Sequence, residues 1–134
     1  MIEFALTAPF LLMLLLFLIE FGHGLNSYLT VVASARDAAR LGAQGGADAT
    51  ALLNMVDNET ARLPDDLPAA SINCGSGEGV CILGVDGAAA QPQVSGRDAV
   101  SVKVCYDHPL IIGFPFMSDS PIHMCSKTTM RLVE

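Results

Sequence analysis

Tryptophan is absent from the 134 residues and tyrosine occurs only twice, so stacking on bases or sugars is not expected. Basic side chains are scarce as well, 7 against 14 acids, for a formal net charge of −7. A nucleic-acid surface needs clustered lysine and arginine, and this balance argues against one. Charge of either sign is almost missing from the front of the chain, where Glu3 and Glu20 alone precede Arg36. The chain has no nucleophile–base constellation, no glycine-rich phosphate loop and no metalloprotease helix motif, so no enzyme and no cofactor are expected. It also lacks the basic n-region and small-x-small cleavage site of an ordinary signal peptide.

What the front of the chain does have is grease. From Phe4 to Ile19 the most polar side chain is Thr7. Continued through Phe21, Gly22, Gly24 and Leu25, with Glu20 and His23 tolerated, the run reaches the roughly 20 residues that span a bilayer. Carboxylates at the ends of such a helix are costly unless compensated, which marks Glu3 and Glu20 as functional candidates. Pro9 removes one helical hydrogen bond, and with Gly22 and Gly24 predicts bending or local unwinding. Beyond Leu25 the helix turns amphipathic. Leu25, Tyr28, Val32, Ala35, Ala39 and Gly42 share a face, whereas Asn26, Thr30, Ser34 and Asp37 lie mostly on the other side. A stripe of small residues suits close packing. Gln44-Gly45-Gly46 is the expected stop.

These pieces form an ordered set: Glu3-Phe4-Ala5-Leu6, Ala8-Pro9 before a Leu/Phe run, Ile19-Glu20-Phe21-Gly22, and Ala33-Ser34-Ala35-Arg36-Asp37-Ala38-Ala39-Arg40. The set resembles the TadE-type pilin-like proteins of tight-adherence (Tad) pilus systems, and the ending Thr128–Glu134 is similar too. The resemblance covers about the first 45 residues and the last ten. It implies a structural subunit whose helix waits in the bacterial inner membrane and then packs into the core of an extracellular type IV filament. Assembly would involve Glu3, Phe4, Pro9 and Glu20. Glu3 would neutralise a neighbouring subunit's α-amino group, while Glu20 is expected where the helix leaves the lipid and water competes. Implied partners are copies of the chain or other pilin subunits, the inner-membrane assembly machinery, and a prepilin peptidase acting on the precursor. Arg36 and Arg40 follow the helix, which by the positive-inside rule would leave the rest of the chain in the cytoplasm. A short basic leader removed from the front, as in pilin precursors, resolves that conflict.

Residues 1–43 therefore read as membrane anchor and filament core, and residues 44–134 as one small extracytoplasmic α+β domain. A second helix is expected from Asp48 to Leu63, with Leu52, Met55, Val56, Thr60 and Leu63 on one face. Residues 70–74 and 80–83 read as strands flanking a glycine-rich, hairpin-like loop. Residues 99–106 and 122–132 alternate cleanly, with Cys105 and Cys125 on the polar faces.

Four cysteines in a small domain behind a membrane helix favour an oxidising compartment and two disulfides. Three pairings are formally possible; Cys74–Cys81 and Cys105–Cys125 have the best geometry. The second would set Asp107 opposite His123 and Lys103 opposite Lys127 if the strands are antiparallel neighbours. A zinc site drawn from Cys105, His108, His123 and Cys125 competes less well, given the compartment and the even cysteine count. The fold expected is thus α+β: a long N-terminal helix, a short second helix and a disulfide-stapled antiparallel sheet.

The connection 107–121 is unusually apolar for a loop. Leu110, Ile111, Ile112, Phe114 and Phe116 either tuck against the second helix or form a contact patch. A patch would suit an alternative function, that of a single-pass anchored binding module. A zinc-dependent enzyme domain is a third reading.

Overall fold

The computed structural model describes residues 2–44, 49–65, 67, 74–75, 77–83, 99–110 and 120–131, with side chains from Phe4 onward. Helix α1 (Ile2–Ala43) is followed by α2 (Ala49–Thr60) and three strands, β1 (Gly79–Leu83), β2 (Ala99–His108) and β3 (Ile122–Arg131). The sheet is antiparallel in the order β1-β2-β3. This is the expected α+β architecture, with both helices packed on one face of the sheet.

Period-two alternation puts every second residue of β2 on that face. Val100, Val102, Val104 and Tyr106 are fully buried there, beside Val80 and Ile82 of β1. From α2 the same core receives Leu52 and Val56, and Leu63 and Leu67 follow from the turn beyond it. From α1 it receives Val31, Ala35, Ala38 and Ala39. Small side chains let the helix axis lie close to the strands. Gly42 marks the tightest approach, since a Cβ there would come within 2.8 Å of a Val100 methyl.

Ala35, Ala39 and Gly42 of the expected stripe of α1 are buried, but nearer the N-terminus the inward face is turned by about one residue from the expected one. Ser27, Val31, Ser34 and Ala38 are buried, whereas Leu25 and Tyr28 are exposed and Val32 is half-buried. Ser34, expected on the outer side, sits inside because its hydroxyl donates to the Val31 carbonyl at 3.1 Å. A polar group satisfied within its own helix can be buried at little cost. The helix also runs unbroken through Pro9, Gly22 and Gly24, so the local unwinding expected there does not occur.

Two disulfides staple the sheet, Cys74–Cys81 and Cys105–Cys125, with Cα–Cα separations of 4.7 and 4.1 Å. Cys105 and Cys125 are cross-strand partners, as are Asp107 with His123 and Lys103 with Lys127. In the β1–β2 register Cys81 opposes Lys103, so both bridges lie on the face away from the helices. Gly77 and Gly79 take φ of 152° and 138°, a region L side chains rarely enter, and turn the chain back so that Cys74 reaches Cys81. β1 pairs with β2. Residues 70–73, expected to form a strand beside it, lie outside the described residues, and Cys74 is not in a strand.

Candidate functional site: the apolar helix and its seam with the sheet

The first half of α1 is apolar around its circumference and touches little of the rest of the chain. Phe4 and Phe10 are 77% and 75% exposed, and Leu6, Leu11, Leu12, Leu14, Phe17, Leu18 and Phe21 are more than half exposed. Leucine and phenylalanine are good enough helix formers to carry the backbone, and Thr7 folds its hydroxyl back onto the Phe4 carbonyl at 3.3 Å. The result is a helix long and apolar enough to cross a membrane. At 1.5 Å per residue the whole of α1 extends roughly 60 Å, about twice a bilayer's hydrocarbon core.

The assembly candidates fall on this segment. Phe4 and Pro9 are exposed on the helix. Glu3 lies in the first turn, and its side chain is outside the described residues. Glu20 departs from expectation. It is only 7% exposed, so water does not compete for it freely in the isolated chain. It sits on the seam where α1 first meets the sheet, ahead of Gly24, Ser27 and Val31 on the same stripe. His23, three residues on, is exposed.

A cleft of about 330 Å³ opens at this seam, between α1 and the adjoining ends of β2 and β3. Phe17, Phe21, Leu110 and Met124 give it apolar walls, with Glu20 and His108 also in the lining. His108 is buried, and neither ring nitrogen has a hydrogen-bond partner among the described residues. A Cβ at Gly24 would stand 3.9 Å from that ring, in ordinary contact. Sequence reasoning missed His108 in this role by drawing it towards Cys105. Alternation along β2 gives the correct answer, since positions 105 and 108 lie on opposite faces. Of the apolar connection, Leu110 reaches the cleft, while Ile111, Ile112, Phe114 and Phe116 lie outside the described residues.

The zinc constellation loses His108 for that reason, and its remaining members for another. Cys105, Cys125 and His123 do cluster, but both sulfurs are joined in a disulfide and neither is a free thiolate. In its place the outer face carries an ordered array, in which Asp107 Oδ1 contacts His123 Nδ1 and His123 Nε2 lies 3.1 Å from Cys125 Sγ. On the inner face, burial holds the Tyr106 phenol above the ordinary tyrosine range. The Asp65 amide donates to its oxygen at 3.4 Å and opposes that shift in part.

The class defined by these features is a membrane-anchor helix whose far half is built into a small disulfide-bonded α+β domain. Residues 1–40 match the family of TadE-like proteins. The match covers α1 up to Arg40, so over that helix the chain is similar to TadE-like proteins, a family that suggests a Tad pilus-associated, pilin-like chain. No curated protein matches the chain. No solved structure matches it.

Proposed function

We propose that the chain is a structural subunit that assembles through α1 into an extracellular, Tad-like type IV filament. One observation carries the reading: α1 is apolar on every side over its first half, and its second half is locked into a folded domain. Such a helix is stable in lipid before assembly and among like helices after it. The locked half makes any packing of the helices also an arrangement of the domains. Residues 1–43 then serve as anchor and filament core, and residues 44–134 lie outside the membrane, where the cysteines are oxidised. Partners are copies of the chain or other pilin subunits, the inner-membrane assembly machinery, and a prepilin peptidase acting on the precursor.

Glu3 gives the reading its sharpest test. A carboxylate there pairs with a neighbouring subunit's α-amino group, and removing one partner of a buried pair costs about 3–5 kcal/mol. Negative-stain imaging of material sheared from cells carrying Glu3→Ala should show filaments lost or free of this subunit. The protein should still reach the membrane with both disulfides formed. Normal filaments from Glu3→Ala would leave α1 as an anchor only. In that event the apolar cleft at Leu110 favours the second reading, an anchored module that binds a partner there. Leu110→Ser would then abolish partner binding with filaments unaffected.

A further inference from the structure

The outer face of the sheet carries a chemical arrangement for which the proposed role of α1 gives no account. Two cross-strand pairs stand next to each other there, Cys105 with Cys125 and Asp107 with His123. Antiparallel register brings the side chains of each pair together, and alternation keeps both pairs on one face. His123 is held at Nδ1 by the Asp107 carboxylate, which leaves Nε2 facing the Cys125 sulfur at 3.1 Å. Asp107 is itself fixed, its amide donating to Glu78 Oε1 at 3.0 Å from the turn before β1. A ring nitrogen of His123 and both sulfurs lie within 4.8 Å of one another.

The two sulfurs differ in access. Cys105 is only 2% exposed, whereas Cys125 is on the surface. An incoming thiolate therefore reaches Cys125 and Cys105 departs first; Cys125, beside His123 Nε2, departs second and leaves more readily if a proton is delivered to it. Cys74–Cys81 lacks this apparatus: among the described residues no imidazole or carboxylate is hydrogen-bonded to its sulfurs.

We propose that Cys105–Cys125 is a thiol–disulfide exchange site with His123 as its acid and Asp107 as the residue that positions the ring. The co-reactant is a dithiol, most simply the paired thiols of a redox protein in the same compartment. One of its thiolates attacks Cys125 Sγ. A sulfur–sulfur bond forms to Cys125, the Cys105–Cys125 bond breaks, and its electron pair passes to Cys105 Sγ, which leaves as thiolate. The dithiol's second thiolate then attacks its own sulfur in the mixed disulfide, expelling Cys125 Sγ, which takes the proton of His123 Nε2 3.1 Å away, and leaving the donor as a disulfide. The chain's disulfide is reduced by two electrons and the donor oxidised by two. The reverse sequence forms the bridge. Opening it removes the pin between β2 and β3, while Cys74–Cys81 stays closed.

Limiting dithiothreitol, added to the full chain in detergent and quenched with iodoacetamide, lets peptide mass spectrometry follow each disulfide separately. Cys105–Cys125 should open at least about tenfold faster than Cys74–Cys81. In His123→Ala its rate should fall about tenfold or more, while Cys74–Cys81, which reports the integrity of the fold, keeps its rate. His123→Gln, closer in shape, should lose the same rate and is measured alongside in case the alanine variant does not accumulate. Asp107→Asn should fall between wild type and His123→Ala. Glutathione, a monothiol that arrests the first step, should be recovered on Cys125 of the wild type. Equal or faster opening of Cys105–Cys125 in both His123 variants, or the adduct on Cys105, overturns the proposal.

Discussion

The two halves of α1 follow opposite rules. In the first, large side chains such as Phe4, Phe10 and Leu12 stand out from the helix, and the backbone hides behind them. In the second, the buried residues are small or short, Ser27, Val31, Ser34, Ala35, Ala38, Ala39 and Gly42, while the larger Leu25, Tyr28 and Leu29 stay exposed. No break in the helix separates the regimes. The lesson concerns what an apolar residue signifies. In a chain with one solvent, large and apolar means inward. A helix that also meets lipid or sister helices uses size to tell two neighbours apart. Bulk goes to the outer one, and smallness to the sheet that must come close.

The strongest way to break this contrast is to make one disruptive substitution in each half. Ala35→Asp puts a carboxylate at a fully buried position with apolar neighbours, at a cost of several kcal/mol. That is comparable to the whole stability of a small domain. The variant should be protease-sensitive and should fail to recover the two native disulfides. Leu12→Ala, in the outward half, should leave both readouts unchanged in detergent. A protease-resistant Ala35→Asp would mean that the second half of α1 is not part of the core.

Much of this was legible beforehand, and the errors are instructive. Alternation alone placed Val100, Val102, Val104 and Tyr106 on one face, because a strand's period is fixed by its backbone, and the single connection between the two strands together with a Cys105–Cys125 bridge set the register. The long helix announced itself through its apolar run. Its inward face did not. Leu25, Tyr28 and Val32 have helical spacing as good as that of Gly24, Ser27 and Val31, and only the second set allows close approach. Glu20 was read as water-exposed because residues 88 to 104 positions later in the chain, His108 and Met124, line the cleft around it, and sequence spacing carries no sign of that. His108 was misplaced for a plainer reason, a neglected count of two along β2.

A finer test uses one substitution at two glycines of the same helix. A Cβ at Gly42 meets Val100 at 2.8 Å and Leu52 at 3.4 Å, and the β-branched valine has little freedom to move. Gly42→Ala should cost about 1–3 kcal/mol by overpacking, offset by up to about 1 kcal/mol of helix propensity. Gly22 has nothing within 4 Å, so Gly22→Ala keeps the propensity gain alone and should be neutral to about 1 kcal/mol stabilising. Thermal melts of the two purified variants should therefore move in opposite directions. Matching shifts would mean that the sheet is not seated against Gly42.

The smallest effect asks how dry the inner side of the sheet is. Tyr106 is fully buried and its phenol is held above the ordinary range, first by desolvation, with Asp65 and Glu78 adding repulsion to the ionised form. A raised pKa means that the folded state keeps its phenolic proton when the unfolded chain has lost it. The associated stability is fully present below the unfolded value of about 10 and is lost as pH climbs through the folded one. Wild type should therefore lose stability above about pH 10, as read from denaturant midpoints across the alkaline range. Tyr106→Phe has no proton to hold there, so its alkaline decline should be shallower. At neutral pH it gives up only the hydrogen bond from the Asp65 amide, at 3.4 Å and beside an exposed residue, so the cost should sit near the low end of about 0.5–1.5 kcal/mol. An alkaline decline as steep in Tyr106→Phe as in wild type would mean that water reaches the phenol. The inner face would then be wetter than its apolar lining implies, and the contrast between the two halves of α1 correspondingly weaker.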